Sequence, residues 1–286
     1  MRKKSYFAFL LFLMLVLAAC GTSEDTTSNE AEPESPDVEE TESTDEGQEE
    51  EEEAAADWEK DVYTVATDTN YVPFEFLDQD SGELIGFDID LINALAEEAG
   101  INIEIETLEF SGIVAGMGSG RFDIGIAGMT ITEERKENID FSQPYYDAGL
   151  VVAVHVDNED IQSVDDLAGK TVTTRVGSTS ETYIIENTEA IPEAFPQITE
   201  AYQNVIAGRA DATIYDVPNV QYYASTEGGG QLKIVGDTLT GEQYGIAFPK
   251  GSPLRDVIDD ALTTLKENGT YADIYEKWFN ERPDGM

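Results

Sequence analysis

The stretch Ala127-Gly128-Met129-Thr130-Ile131-Thr132-Glu133-Glu134-Arg135 joins two runs of opposite character. Before it, Phe122-Asp123-Ile124-Gly125-Ile126 reads as a strand, and after Thr132 the chain turns polar and helix-prone. Thr132 is a suitable N-cap, and Glu133 and Glu134 in the first turn suit the positive end of a helix dipole. A strand that ends in small residues and turns into a helix leaves carbonyls, amides and a hydroxyl at one edge. Arg135, one turn in, adds a fork-shaped cation matched to a carboxylate. Such a set suits the ammonium and carboxylate of a free amino acid. From these nine residues alone, a plain strand-to-helix corner with a surface arginine is an equal reading.

Working outward, strands and helices alternate. Residues 62–67 alternate as a strand and deliver Asp68 at its end; Pro73 keeps its neighbour extended. Gly86-Phe87-Asp88-Ile89-Asp90-Leu91 opens a helix to about Ala99, with Leu91, Ile92, Leu95 and Ala96 at helical spacing and Gly100 as the stop. A strand over 101–108, a short helix over 110–118 and a strand over 121–126 follow. This order predicts a mostly parallel α/β sheet with ligands at the carboxyl ends of its strands, where Asp68, Phe110, Gly128 and Thr130 lie. Residues 139–150 break the pattern. A second α/β unit then begins at the apolar strand 150–154, with a short helix over 163–168 and a strand over 171–175. The turn Gly177-Ser178-Thr179-Ser180 leads into a helix, and its amides read as an anion site by themselves. A strand over 211–215 ends at Asp216. Gly241-Glu242-Gln243-Tyr244 reads as a second crossing, and 253–278 as a helical tail interrupted at Asn268-Gly269.

The amino terminus has a different character. Basic residues, an apolar run over 6–17 and Leu17-Ala18-Ala19-Cys20-Gly21 describe an export signal, too short to read first as a membrane span. Cys20 is the only cysteine, so no intrachain disulfide is possible. Its setting resembles the bacterial lipobox, which implies cleavage before Cys20 and lipid attachment to it. Residues 21–56 are rich in Ser, Thr, Pro and acid and read as a disordered, self-repelling tether. Sixteen of the 60 acidic residues precede Asp57, so the remainder sets 44 acidic against 13 basic side chains, a net charge of −31. That charge excludes a binder that tracks nucleic-acid phosphates and suits a protein kept soluble in high salt. No zinc spacing or phosphate loop appears, and neither metal nor cofactor is expected. His155, the sole histidine, sits in an apolar strand and reads as structural; Trp58 and Trp278 are expected to pack against the first α/β unit rather than hold a ligand.

Five motifs occur together and in order: Asp68-Thr69-Asn70-Tyr71-Val72-Pro73-Phe74-Glu75-Phe76, Gly86-Phe87-Asp88-Ile89-Asp90-Leu91, the 127–135 stretch, Ala210-Asp211-Ala212 with Asp216, and Glu267-Asn268-Gly269-Thr270-Tyr271 with Trp278-Phe279. In this the chain closely resembles the family 3 extracellular solute-binding proteins of polar amino-acid ABC importers, glutamine-binding proteins above all. The resemblance implies a two-lobed α/β periplasmic-binding-protein fold (type II) whose lobes are joined by two hinge crossings. It divides the chain into a signal and lipobox (1–20), an acidic linker (21–56), lobe 1 (57–146 plus 244–286) and lobe 2 (147–243).

The resemblance also implies roles for single residues. Arg135 pairs with a ligand α-carboxylate, helped by the Thr130 and Thr179 amides. Asp216 takes the α-ammonium, with the Gly128 carbonyl and the Thr130 hydroxyl. Tyr71 and Phe110 stack on the ligand's aliphatic part, with core packing as the alternative for each. Asp68 and Arg175 address the ligand side chain, and a cationic Arg175 is expected to exclude lysine and arginine. Thr179 and Tyr215 depart from the glutamine-binding pattern, where glycine and histidine stand. The implied function is a non-enzymatic receptor, lipid-anchored outside the cytoplasm and expected to be a monomer, that hands a polar amino acid, L-glutamine first, to an ABC permease. Glutamate or basic amino acids are the alternatives within the fold, and a cyclohexadienyl-dehydratase-like enzyme is the alternative from another class.

Overall fold

The computed structural model describes residues 60–226 and 228–283. Cys20, the segments 1–20 and 21–56, and Trp58 lie outside the described residues.

Apart from half-buried Thr64, β1 (Tyr63–Thr67) is buried, the condition of a strand covered on both faces of a parallel sheet. A small hairpin sheet of β2 (Asn70–Tyr71), β3 (Glu75–Leu77) and β4 (Leu84–Ile85) carries the chain to α1 (Phe87–Ala99). α1 buries Phe87, Leu91, Ile92 and Leu95 on one face and stops where Gly100 takes the left-handed conformation. β5 (Ile103–Thr107), α2 (Phe110–Gly118), β6 (Ile124–Gly125), α3 (Glu133–Lys136) and β7 (Ile139–Phe141) complete the first pass.

From there β8 (Tyr146–Ala148) crosses to a second unit. It comprises β9 (Leu150–His155), β10 (Thr171–Arg175), α4 (Thr179–Asn187), β11 (Ile191–Phe195), α5 (Ile198–Ile206), β12 (Ala212–Asp216), α6 (Val217–Ser225) and β13 (Leu232–Val235). The return crossing, β14 (Glu242–Tyr244), pairs antiparallel with β8 and leads to β15 (Ala247–Pro249), α7 (Leu254–Asn268) and α8 (Thr270–Phe279).

Both large sheets follow one plan. Their orders are β5-β1-β6-β15-β7 and β11-β10-β12-β9-β13. In each, the first three strands run parallel and the fourth antiparallel to its neighbour. Each sheet carries its own helices, so the architecture is the expected two-lobed α/β fold. α7 and α8 pack against α1, which explains why the chain returns to its first lobe. Trp278 packs there too, its ring edge-on to Phe76 and its indole N–H donating to Asp90 at 2.6 Å. His155 ends β9 beside Asp157, at the surface.

Local departures from expectation are small and have local causes. The helix expected over 163–168 is one 3-10 turn, Val164–Leu167, closed by a Ser163–Asp166 capping box. The tail divides into α7 and α8 because Gly269 adopts φ 89° between them. The lobes meet directly: Asn219 donates to the Val72 carbonyl at 2.7 Å, and Gln197 to Glu109 at 3.3 Å.

Candidate functional site

Backbone pairing fixes the position of the 127–135 stretch. Thr130 bridges Tyr244, the Ile131 N–H donates to the Gln243 carbonyl at 2.8 Å, and Gly245 N–H donates to Met129 at 3.0 Å. The stretch is thus held alongside the crossing strand β14, at the carboxyl end of β6. Gly128 has φ +54°, and a Cβ there would lie 2.3 Å from a ring carbon of Tyr71. Only glycine combines that backbone with so close a ring. Thr132 caps α3 as expected, accepting from the Arg135 N–H at 3.1 Å. The cap turns the Arg135 side chain back across the cleft, where its guanidinium donates to the Thr130 carbonyl (2.7 Å) and to the Gly177 carbonyl of the other lobe (3.1 Å).

Both recorded partners of that guanidinium are neutral carbonyls. Burial pushes its pKa down, while the Asp216 and Glu242 charges oppose the shift. A half-buried cation without a directly bonded carboxylate is suited to receive one. Phe110 has two cations near its ring, Arg135 at 5.4 Å and Arg175 at 5.1 Å from the ring centre.

The second lobe contributes the ends of β10 and β12. Ser178 caps α4 by accepting from Glu181 N–H at 3.2 Å, and the Gly177 N–H is taken by the Glu181 carboxylate at 2.7 Å. One amide of the 177–180 turn, that of Gly177, is therefore already taken by an internal glutamate. At the end of β12, buried Asp216 accepts on one oxygen from the Tyr71 hydroxyl (2.7 Å) and the Tyr244 hydroxyl (2.5 Å). Burial, aided by the nearby Glu242 charge, raises its pKa to about 7. Tyr71, expected only to stack, is also a hydrogen-bond donor here, and Tyr215 meets its ring edge-on at 5.9 Å.

Asp68 and Arg175 form an ion pair across the two lobes, with exposures of 2% and 1%. The other Asp68 oxygen accepts from the Thr69 N–H (2.6 Å) and the Asn70 amide (3.1 Å), and Arg175 Nε donates to the Pro196 carbonyl (3.2 Å). Arg175 is thus buried against the other lobe rather than turned to solvent. Asp68 neutralises it there. Tyr71, Phe110, Gly128, Thr130, Arg135, Thr179, Tyr215 and Asp216 line one cavity with Ala127 and Ser178. The Asp68–Arg175 pair is not part of that lining.

The enclosed space is about 10 Å³, near the lower limit for a single water. An amino acid does not fit in a space of that size. A larger groove of about 450 Å³ lies beside Tyr146, Lys266 and Tyr275 and is also lined by Asp147, Glu281 and Arg282. Among the described residues no His, Cys, Asp or Glu cluster is suited to a metal ion.

Two features escaped the sequence reading. Glu242 and Tyr244, on the crossing strand, both face the cleft. Beneath Gly128, Asp88 accepts from the Gly128 N–H and the Tyr145 hydroxyl, each at 2.9 Å, and faces the buried Glu75 carboxyl. The signal for the first was the crossing itself, since alternate residues of a strand passing the cleft must face it.

Residues 63–281 match the family described as bacterial extracellular solute-binding proteins, family 3. The chain belongs to that family. Among curated relatives it is 30% identical over 282 residues to the L-cystine-binding protein TcyA of Bacillus subtilis (strain 168), covering 98% of each chain. It is 34% identical over 281 residues to the ABC transporter glutamine-binding protein GlnH of the same strain, covering 96% of this chain and 95% of that one. Among solved structures, an ancestral arginine-binding protein bound to glutamine matches with 42% identity and a TM-score of 0.72, over 78% of this chain and all of the other.

Proposed function

We propose that this chain captures a polar amino acid between its lobes and delivers it to an ABC permease outside the cytoplasm. The observation that carries this reading is the opposition of Arg135 and Asp216 across one cavity. A zwitterion stripped of water needs both of its charges met, and the two groups are supplied by different lobes, so binding and closure are coupled. The α-carboxylate is assigned to Arg135 with the Thr130 and Thr179 amides. The α-ammonium is assigned to Asp216, the Gly128 carbonyl and the Thr130 hydroxyl, with Tyr71, Phe110 and Tyr215 against the aliphatic part. We take lobe 1 as 57–146 plus 244–286 and lobe 2 as 147–243, with the protein acting as a monomer anchored through lipid on Cys20. A Cys20→Ala chain expressed in a bacterial host should accumulate as unprocessed precursor; normal lipidated product would refute the anchor.

L-Glutamine is our first choice of ligand. Its carboxamide can donate to Asp68 and accept from Arg175, so a neutral group can enter between the pair without leaving either charge bare. An arginine or lysine side chain satisfies Asp68 but meets Arg175 with like charge, and glutamate does the reverse. A calorimetric screen of the twenty amino acids tests this ranking. Glutamine should bind best, and Arg175→Leu should weaken glutamine and relax the exclusion of arginine. A wild type that prefers arginine, or a variant with unchanged ranking, removes Arg175 as selector.

One observation favours the dehydratase reading: a cleft carboxyl, Asp216, with a pKa of about 7, which is what a general acid requires. Incubation with prephenate separates the two, and the receptor reading predicts no aromatic product.

A further inference from the structure

Glu242 is a carboxylate beside the cleft to which the assignments above give no task. On β14, Glu242 and Tyr244 face the cleft, while Gln243 faces away and donates to Asp147 at 2.8 Å. Glu242 Oε2 accepts from the Thr130 hydroxyl at 2.9 Å and from the Thr179 hydroxyl at 3.0 Å, one threonine from each lobe. Its Oε1 accepts from Thr240 at 3.2 Å. A hydroxyl has one proton to donate and two lone pairs, whereas a carboxylate only accepts. With their protons committed to Glu242, Thr130 and Thr179 can offer only lone pairs to the cavity they line.

We infer that Glu242 is a specificity-determining positioning residue: it fixes both threonine hydroxyls as acceptors and so makes that part of the cavity select the α-ammonium of its ligand. The inference rests on the amino-acid reading and deepens it. A free threonine hydroxyl can serve a carboxylate as readily as an ammonium, so its presence alone does not explain selection. The carboxylate behind it removes the choice. The simpler role that competes is mechanical, because one oxygen holding a threonine from each lobe would also act as a latch favouring closure around any ligand.

The two roles separate on paired ligands. Glu242→Gln keeps the size of the side chain, removes its charge and gives it an amide N–H that can donate to one threonine, freeing that hydroxyl's proton to turn inward. Wild type and variant are titrated with L-glutamine and with L-arginine, each beside its deamino counterpart, glutaramate and 5-guanidinopentanoate, by calorimetry and displacement. The wild type prefers the α-amino member of a pair, and in Glu242→Gln that preference ratio falls by about tenfold, the worth of one charge-assisted hydrogen bond. Thr130→Val, with no hydroxyl to orient, lowers the ratio similarly, and adding Glu242→Gln to it lowers the ratio by less than it does alone. Equal losses for both members of a pair, or an unchanged ratio, mean that Glu242 is a latch only and overturn the inference. A wild type that binds neither amino acid overturns the amino-acid reading first and takes the inference with it.

Discussion

Asp216 holds a proton more tightly than an ordinary carboxyl because it is buried and faces Glu242, and its pKa of about 7 follows although the Tyr244 and Tyr71 hydroxyls oppose the shift. Only the ionised form pairs with an ammonium, and the ammonium in turn favours ionisation. Binding therefore releases a proton wherever the free carboxyl is still protonated. Affinity should rise with pH up to about 7 and level off above it; below, each unit of acid should cost up to about tenfold. Titrations across this range, in buffers of different ionisation enthalpy, check both the slope and the proton release. A flat profile from about pH 5.5 to about 8.5 would mean that Asp216 does not meet the ligand's positive charge. At this scale the Thr132 cap and the place of Asp216 at the end of a strand were legible in the sequence, because both depend on near neighbours. The Asp68–Arg175 pair was not, since its members lie 107 residues apart and meet only where the lobes close.

Between elements, the buried carboxyls of Glu75 on β3 and Asp88 on α1 lie together, and Asp88 connects the 127–135 stretch to Tyr145 beside the first crossing. Both are fully buried. Neither Glu75 oxygen nor Asp88 Oδ1 has a hydrogen-bond donor among the described residues. Burial raises the Glu75 pKa well above its usual value, with the Asp88 charge adding to the shift, and burial raises Asp88 to about 6. A proton held on Glu75 serves the otherwise unpaired Asp88 oxygen, while Asp88 fixes the Gly128 amide and the Tyr145 hydroxyl. Because these folded-state pKa values are raised, the native state binds more protons than the unfolded chain. The stabilisation is then full below the unfolded carboxyl values near pH 4 and is lost as pH rises through the folded ones. Glu75→Gln, which mimics the protonated acid, should fold, keep ligand affinity and flatten the fall in stability between about pH 5 and 8, by at most about 1.4 kcal/mol per pH unit for one proton. Denaturant titrations at several pH values measure it; an identical slope in variant and wild type would show that Glu75 carries no extra proton. The elements themselves were readable from periodicity and glycine stops. Their partners were not: Glu75 and Asp88 look like ordinary surface acids until β3 and α1 are packed together.

Over the whole molecule, two sheets of one plan and a pair of crossing strands place Arg135 and Asp216 on opposite sides of a cleft. The repeated α/β alternation and the break over 139–150 made two units legible in the sequence. Which strand ends face each other depends on how the lobes close, and that is a property of packing between distant segments. The same packing leaves about 10 Å³ in the cleft, and the proposed capture has the lobes open and the ligand's two charges draw them together. The most direct test is calorimetric titration of L-glutamine into the wild type, Arg135→Ala and Asp216→Ala. The account predicts one-to-one binding by the wild type and, in each variant with an unchanged melting profile, a loss of roughly 2–5 kcal/mol, about 30- to 5000-fold in affinity. Wild-type affinity in either folded variant would contradict it.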